Sequence, residues 1–309
     1  MQKQRVIGVF DSGVGGLTVV KEIFRQLPGV RVVYFGDTAR VPYGSRSSEE
    51  LIRFGEEMIT FLIGRGAEVI VAACNTSSAA VLPVLRELFA IPIIGMIEPG
   101  ACLAVKMTTG GRIGLIATET TVRSNAYASG VSRALAKGVA PDDPALRKAW
   151  KQGEGAISLV KAQSCPLLVP LIEAGLAEST ETRRLVRSYL TPLQAAGADT
   201  LILGCTHYPF LEPVIKEILG KDVLLVDPAV GVCEDLKVLL EAAAEATTEA
   251  TTEATTEATT EEIFVPECGG VVRYFVSGDP GLFRQVGNTL LGDQIDFVEQ
   301  VNLEMNLKG

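Results

Sequence analysis

Two stretches of the sequence decide the fold: VIVAACNTSS at residues 69–78 and TLILGCTHYP at residues 200–209. In each, a short apolar run leads into a cysteine, Cys74 or Cys205, and then into polar residues. Short β-branched runs bounded by small residues predict buried strands. In parallel sheets, side chains that carry out chemistry collect just past the carboxyl ends of the strands. We therefore expect two thiols, one from each half of the chain, to face each other across a cleft.

A second internal similarity supports two related halves. The segment RIGLIAT at residues 112–118 is similar to RVIGVFD at residues 5–11, and Gly114 corresponds to Gly8. A strand, a polar turn and a helix are predicted to follow in both places, which is a fold-level similarity and not a short-period repeat array. The sequence thus predicts an α/β protein. It would have two similar α/β domains with mainly parallel central sheets and the active site in the cleft between them.

The bulk properties narrow the class of protein. A length of 309 residues suits two domains, and a hydrophobic fraction of 47% is typical of a packed chain. Lys and Arg total 28 against 37 Asp and Glu, and this acidic balance argues against a nucleic-acid surface. The start, MQKQRVIGVF, lacks the apolar region of a signal peptide, and no apolar run is long enough for a membrane span. We therefore expect a cytoplasmic protein that binds neither nucleic acid nor membrane.

The six cysteines are expected to be free thiols, because a reducing compartment disfavours disulfides and a chain of this size does not need them. A single histidine and the lack of a C-x-x-C pair argue against a metal site. A free cysteine after an apolar strand is usually a small core residue. That role is expected for Cys102, Cys165, Cys233 and Cys268.

A glycine-rich turn, DSGVGG at residues 11–16, separates the first predicted strand from a helix predicted over 17–27. The turn matches neither G-x-G-x-x-G nor a Walker loop, and no lysine follows it, so a nucleotide site is disfavoured. Free backbone N–H groups at a helix start attract anions, which favours a carboxylate-binding turn. A tight turn that only needs the backbone freedom of glycine fits equally well.

Ser47 with Glu50 resembles a capping box, and a helix is predicted from there to about Arg65.

Four further segments carry expectations about local structure. Glu98-Pro99-Gly100 predicts a break in the chain, whereas residues 79–89 predict a helix despite Pro83, which would lie near its first turn. Residues 138–156 predict an irregular insertion or a mobile surface segment. The repeat EATTEATTEATTEATT at residues 245–260 has no apolar face, and Glu spaced by four repels along a helix. We expect this repeat to be an exposed, partly disordered insertion (245–262) without a function.

Together the motifs resemble the glutamate racemase family, within the cofactor-independent aspartate/glutamate racemase superfamily. The resemblance covers nearly the whole chain except 138–156 and 245–262. Paired ACNT and GCTH at strand ends are specific for the two-cysteine branch, and the longer blocks point to the glutamate enzymes within it. The matching stretches are IGVFDSGVGGLTV, YFGDTARVPYG, VAACNTSSA, GMIEPGA, RIGLIAT, CPLLVPLIEAG, LGCTHYPFL and SGDPGLF.

The resemblance implies that the first domain combines residues 1–99 with 210–309 and that the second domain spans 100–209. It also implies an isomerase that interconverts the enantiomers of glutamate without a cofactor, by two opposed acid/base groups. Cys74 and Cys205 would be these groups, one as thiolate and the other as thiol. Thiols suit the role because their pKa, about 8.5 in model peptides, responds strongly to the surroundings. The analogy assigns Cys74 to D-glutamate and Cys205 to L-glutamate.

Further site residues follow from the same resemblance. Asp11, Glu173 and His207 would assist the thiols, with Asp11 near Cys74 and His207 near Cys205. Glu154 is a rival for Glu173 because an apparent insertion displaces that region. Asp37 could be a site residue or, equally, a structural loop carboxylate. The substrate-binding positions would be Asp11, Ser12, Tyr43, Gly44, Asn75, Thr76, Thr206 and His207.

Two other functions stay open from the sequence. One is a racemase for aspartate or a related amino acid, because side-chain length is selected by pocket geometry. The other is a non-catalytic binding or regulatory protein on the same fold, since fold alone does not settle function. The resemblance further implies a small-molecule substrate, a homodimer, and a role in supplying D-glutamate for peptidoglycan and hence for cell shape. No feature that would favour binding to DNA gyrase is identifiable.

Overall fold

The computed structural model describes residues 5–247, 263–265, 270–292 and 295–303. Most of the predicted insertion at 245–262, and Cys268, lie outside the described residues. In the part that is described, five cysteines are free, as predicted. Among the described helices, none has the length and apolar character that a membrane span requires.

In the described residues, eleven strands form two sheets. The strands are β1 (Val6–Asp11), β2 (Arg31–Gly36), β3 (Val69–Ala72), β4 (Ile93–Gly95), β5 (Arg112–Ala117), β6 (Ser158–Ser164), β7 (Thr200–Gly204), β8 (Leu224–Val226), β9 (Ile263–Val265), β10 (Gly270–Val276) and β11 (Glu299–Gln300). The seven-stranded sheet has the order β11-β10-β2-β1-β3-β4 and is parallel except for β9, which pairs antiparallel with β10. The four-stranded sheet has the order β6-β5-β7-β8 and is parallel throughout.

Helices connect the strands, as parallel pairing requires. They are α1 (Leu17–Gln26), α2 (Ser48–Gly64), α3 (Asn75–Ala80), α4 (Leu82–Leu88), α5 (Ile97–Met107), α6 (Glu119–Arg123), α7 (Ala126–Ala136), α8 (Pro144–Lys151), α9 (Leu168–Glu173), α10 (Thr180–Ala195), α11 (Glu212–Leu219), α12 (Pro228–Thr247) and α13 (Pro280–Leu291). Short 3₁₀ turns occupy Tyr43–Ser45 and Tyr208–Leu211.

Each sheet is covered on both faces, which explains why its strands read as continuous apolar runs. Alternate residues of β1 and β2 enter two cores, with Val9 and Val32 in one and Phe10 and Val33 in the other. The second sheet likewise divides its side chains between two cores. The predicted α/β class with mainly parallel sheets is therefore confirmed. We call the seven-stranded sheet with its helices the first unit and the four-stranded sheet with its helices the second unit.

The membership of β8 bears on where the units divide. This strand pairs with β7 and so belongs to the second sheet, although it lies beyond residue 209. The helix α12 that follows contributes Val232 and Leu236 to a core of the first unit. We therefore propose that the second unit continues to about residue 226, and that the first resumes with α12.

The capping box predicted at the start of α2 is present. The Ser47 hydroxyl accepts a hydrogen bond from the Glu50 backbone N–H at 3.2 Å, and the Glu50 carboxylate accepts one from the Ser47 backbone N–H at 3.0 Å. This reciprocal pair is the capping box that the sequence predicts, and it satisfies two N–H groups that the helix leaves free.

Three predictions of local structure are wrong. Glu98-Pro99-Gly100 does not break the chain but lies in the first turn of α5, where proline is tolerated because its missing N–H would have no helical partner. The helix predicted over 79–89 is divided at Val81 into α3 and α4, although Pro83 does lie in the first turn of its helix, as predicted. The segment 138–156 holds α8, which Asp143 caps through the Leu146 N–H at 2.7 Å.

Candidate active site

The first thiol lies where the sequence predicts. Cys74 follows β3 and stands at the N-terminus of α3, with only 6% of its surface exposed. Its Sγ lies 3.7 Å from the Ser12 hydroxyl oxygen. Burial raises the pKa of the Cys74 thiol to about 11, and the negative charge of nearby Asp11 adds to the effect. Because thiols with a raised pKa keep their proton, Cys74 is a thiol at neutral pH in this state.

The second thiol sits beside the single histidine. Cys205 follows β7, and its Sγ lies 3.8 Å from His207 Nδ1, while His207 Nε2 lies 2.9 Å from a Glu173 carboxylate oxygen. Burial lowers the pKa of His207, but its hydrogen bonds to Cys205 and Glu173 together outweigh burial and raise the pKa to about 10. The ring is therefore an imidazolium at neutral pH, and its charge stabilises negative charge on the neighbouring sulfur.

Asp11 joins the two thiol regions. It ends β1, which pairs with β3, and it is 1% exposed. One carboxylate oxygen accepts a hydrogen bond from the Gly13 N–H at 2.8 Å, and the other lies 3.4 Å from the Thr206 hydroxyl. Burial raises the pKa of Asp11, and the positive charge of His207 opposes that rise.

The glycine-rich turn 11–16 packs directly on the second thiol's neighbours. A Cβ at Gly15 would lie 2.3 Å from the Thr206 hydroxyl oxygen and 2.5 Å from His207 Nδ1. The Thr18 hydroxyl lies 2.9 Å from the backbone oxygens of both Gly15 and Thr206. The turn therefore needs glycine for close approach between the two units, in addition to any anion binding.

Polar groups from both units surround the N-terminus of α3. The Thr76 hydroxyl lies 3.0 Å from the Thr118 hydroxyl, which lies 2.9 Å from that of Thr121. Neither Thr118 nor Thr121 was predicted to be a site residue. A signal for Thr118 was nevertheless present, because it takes the place of Ser12 when Gly114 is aligned with Gly8.

Asn75 is held by a residue that carried no motif. Its Oδ1 accepts a hydrogen bond of 2.6 Å from the Tyr127 hydroxyl. Its Nδ2 is buried and has no hydrogen-bond partner among the described residues. Buried amide donors are nearly always satisfied in native proteins, so this one indicates an absent acceptor.

The loop that carries Tyr43 and Gly44 closes over the same region. The Tyr43 hydroxyl donates to a carboxylate oxygen of Asp37 at 2.5 Å, and the Gly44 carbonyl accepts from the Thr120 hydroxyl at 3.0 Å. Asp37 also accepts from Arg40 Nε at 2.8 Å and from the Ser277 hydroxyl at 2.7 Å. Asp37 thus has the contacts of a structural loop carboxylate, and the Tyr43 carbonyl accepts a hydrogen bond from the Arg46 N–H at 3.1 Å.

The structure distinguishes the two rival carboxylates. Glu173, at the end of α9, is the carboxylate that contacts His207. Glu154 lies past the end of α8, where its side chain is exposed and its N–H donates to the Ala149 carbonyl at 2.9 Å. Of the two carboxylates, only Glu173 contacts His207, the residue beside Cys205.

Comparisons with known proteins identify the family of the chain. A family model described as Asp/Glu/Hydantoin racemase matches residues 7–236. The chain belongs to this racemase family. It is 44% identical over 297 residues to a glutamate racemase of Desulforudis audaxviator, a match that covers 96% of this chain and 97% of the relative. The isomerase class predicted from the sequence is thereby confirmed.

Solved structures of racemases share the fold. The RacE1 isoform of glutamate racemase from Bacillus anthracis superposes with a TM-score of 0.78 at 36% identity, covering 98% of this chain and 99% of its own. A glutamate racemase from Francisella tularensis in complex with D-glutamate gives a TM-score of 0.75 at 32% identity, with coverage of 98% and 99%.

Proposed function

We propose that this racemase interconverts L-glutamate and D-glutamate by a two-base reaction of Cys74 and Cys205, without a cofactor. The observation that carries the proposal is the pair of buried thiols at the ends of β3 and β7, each beside a polar group that can assist it. The two thiols come from different units. The Thr206 hydroxyl of the second unit contacts the Asp11 carboxylate of the first unit. Opposed acid/base groups of this kind can act on both faces of one carbon.

The reaction then runs in either direction with the roles exchanged. With D-glutamate, the Cys74 thiolate removes the α-proton and the Cys205 thiol delivers its proton to the opposite face. With L-glutamate, Cys205 removes the proton and Cys74 delivers one. Each turnover moves one proton onto one sulfur and one proton off the other, so the charge balances.

The charges around the site support these roles. Because the pKa of Cys74 is raised to about 11, its thiolate needs a positive charge nearby. The ammonium group of a bound amino acid supplies that charge. On the other side, the His207 imidazolium supports negative charge on Cys205, and Glu173 holds the ring in place.

The two carboxylates of glutamate need donors, and the site offers them. Asn75 Nδ2, at the start of α3, is a buried donor that has no partner in the described part of the chain. Thr76 and Thr206 add hydroxyls, and the backbone N–H groups of Tyr43 and Gly44 lie on the loop above. Hydrogen bonds from such groups to a carboxylate are charge-assisted and so among the stronger ones.

A single NMR experiment tests substrate and mechanism together. The α-proton of L-glutamate and D-glutamate is followed in deuterium oxide without pyridoxal phosphate, with aspartate in parallel. We expect exchange with inversion from both enantiomers of glutamate and none from aspartate. Activity on aspartate alone would move the assignment to a sister racemase. Exchange on neither amino acid would refute the proposal and favour a binding protein on this fold.

The physiological role is part of the proposal. We infer a cytoplasmic homodimer that supplies D-glutamate for peptidoglycan, hence for the cell wall and cell shape. Expression in a bacterial strain that requires D-glutamate should restore growth without the supplement, whereas the Cys74→Ala variant should not. Light scattering of the purified protein gives the oligomeric state, and a monomeric mass across the working concentration range would refute the dimer.

A further inference from the structure

One hydrogen bond crosses between the units next to the first thiol. Tyr127 lies on α7 in the core of the second unit and is 1% exposed, and Asn75 directly follows Cys74 in the first unit and is 2% exposed. The 2.6 Å bond from the Tyr127 hydroxyl to Asn75 Oδ1 is therefore entirely enclosed in protein.

The phenol determines which way the Asn75 amide faces. A phenol has one proton to donate, and here Asn75 Oδ1 accepts it. The separation of 2.6 Å suits an O–H···O bond better than an N–H···O bond. Burial raises the pKa of Tyr127 well above its ordinary value, so the phenol keeps this proton at any pH the enzyme meets. The oxygen of the amide is thus turned to Tyr127 and the nitrogen away from it.

The nitrogen that results is the unpartnered donor of the site. Asn75 Nδ2 is buried without an acceptor among the described residues, at a helix N-terminus one residue from Cys74. A carboxylate is the natural partner for such a group. If the amide were turned over, an oxygen would face the same place and would repel a carboxylate.

A similar contact crosses between the units beside the second thiol, with the units exchanged. Thr206 directly follows Cys205 in the second unit, and its hydroxyl contacts Asp11 of the first unit at 3.4 Å. In both cases the residue after the thiol is held by a side chain of the opposite unit. Tyr127 thus contacts the residue after Cys74, as Asp11 contacts the residue after Cys205.

We propose that Tyr127 is a positioning residue: it fixes the Asn75 amide so that its N–H₂ group donates to a carboxylate of the bound substrate. The inference rests on the proposed function. It assigns the substrate contact to Asn75 and the orientation of that contact to the phenol of the opposite unit.

The test is Tyr127→Phe, which removes the hydroxyl and keeps the ring. We expect KM to rise about 5- to 50-fold for both enantiomers, the range for loss of one buried hydrogen bond, with kcat within about two-fold of the wild type. KM carries the effect because the carboxylate is held equally in the ground state and the transition state. In an Asn75→Ala background, Tyr127→Phe should raise KM no further, because the two residues act as one unit.

Two controls separate positioning from packing. Tyr274→Phe removes the hydroxyl of another buried tyrosine, which packs on the Tyr34 and Phe283 rings, and should leave KM unchanged. Asn75→Asp keeps an acceptor for Tyr127 but turns an oxygen toward the substrate, and should raise KM more than Tyr127→Phe does.

The outcomes are distinct. A lower melting temperature with unchanged KM in Tyr127→Phe would show a purely structural role and overturn the inference, as would normal glutamate affinity in Asn75→Asp. If the wild type binds glutamate but does not racemise it, the proposed function fails while calorimetry still decides the inference. Weaker glutamate binding by Tyr127→Phe supports it, and equal binding overturns it.

Discussion

Substituting Gly15 by alanine should impair catalysis by displacing the second thiol's neighbours. The new Cβ would meet the Thr206 hydroxyl oxygen at 2.3 Å and His207 ring atoms at 2.5 Å, whereas ordinary contacts begin at 3.4 Å. Something must move by roughly 1 Å, and neither group is the free end of a flexible chain, because Thr206 contacts Asp11 and His207 contacts Glu173. A misplacement of about 1 Å at a catalytic site costs about 100-fold in rate. Overpacking of a filled interior costs about 1–3 kcal/mol in stability.

Gly13→Ala is the matched control in the same turn. A Cβ at Gly13 meets nothing closer than Val41 Cγ1 at 3.9 Å, and the Gly13 N–H that holds Asp11 is retained. Polarimetric initial rates in both directions should show kcat/KM reduced about 100-fold in Gly15→Ala and largely kept in Gly13→Ala. Thermal unfolding in parallel shows that Gly15→Ala is still folded. Wild-type kcat/KM in a folded Gly15→Ala enzyme would refute the idea that close approach of this turn positions His207 and Thr206.

Three further predictions address the thiols, the histidine and the fold. Cys74→Ala and Cys205→Ala should each abolish racemisation without unfolding the protein, and clean turnover by either variant would reject the two-thiol mechanism. Glu173→Gln removes the charge that helps raise the pKa of His207 to about 10. That raised pKa stabilises the fold fully below a pH of about 6.5, the ordinary histidine pKa, and the contribution is lost as the pH rises through 10. The melting temperature of Glu173→Gln should therefore lie below that of the wild type near pH 6, and the gap should close by pH 10. A gap that stays constant over this range would show that Glu173 acts by packing alone. Ser47→Ala removes the capping box and should cost about 1 kcal/mol of stability in denaturant unfolding, with kcat/KM unchanged.

Predictions from the sequence succeeded where the signal is local. The strands that carry Cys74 and Cys205, and the capping box at Ser47, depend on neighbouring residues, and the structure places all three as expected. One prediction failed because the rule that proline breaks helices was applied without regard to position. Proline disrupts the interior of a helix, whereas Pro99 lies in the first turn of α5, where proline is tolerated. The start of α8 had a readable signal, an aspartate before a proline, that the irregular composition around it obscured.

The long-range contacts of the site could not be predicted in the same way. Tyr127 lies far from Asn75 in the sequence, and a lone tyrosine near the start of a helix is not distinguished from core tyrosines such as Tyr274. What selects Tyr127 is the packing of α7 on α5, which places its hydroxyl at the unit boundary. The contact between Tyr127 and Asn75 can therefore be seen only in the folded structure.

The two thiols are similar in sequence context but unlike in charge. Cys74 has a carboxylate, Asp11, for a neighbour, whereas Cys205 has an imidazolium, His207. Before substrate binds, negative charge is therefore disfavoured on one sulfur and supported near the other. In the proposed two-thiol mechanism, Cys205 would take the proton of L-glutamate beside this imidazolium, whereas Cys74 would have to lose its own proton before it acts on D-glutamate. In that mechanism, the ammonium group that either enantiomer carries into the site would be the charge that offsets this difference. Because a racemase must turn over both enantiomers, the proposed mechanism requires the charge of the substrate ammonium as well as the two thiols.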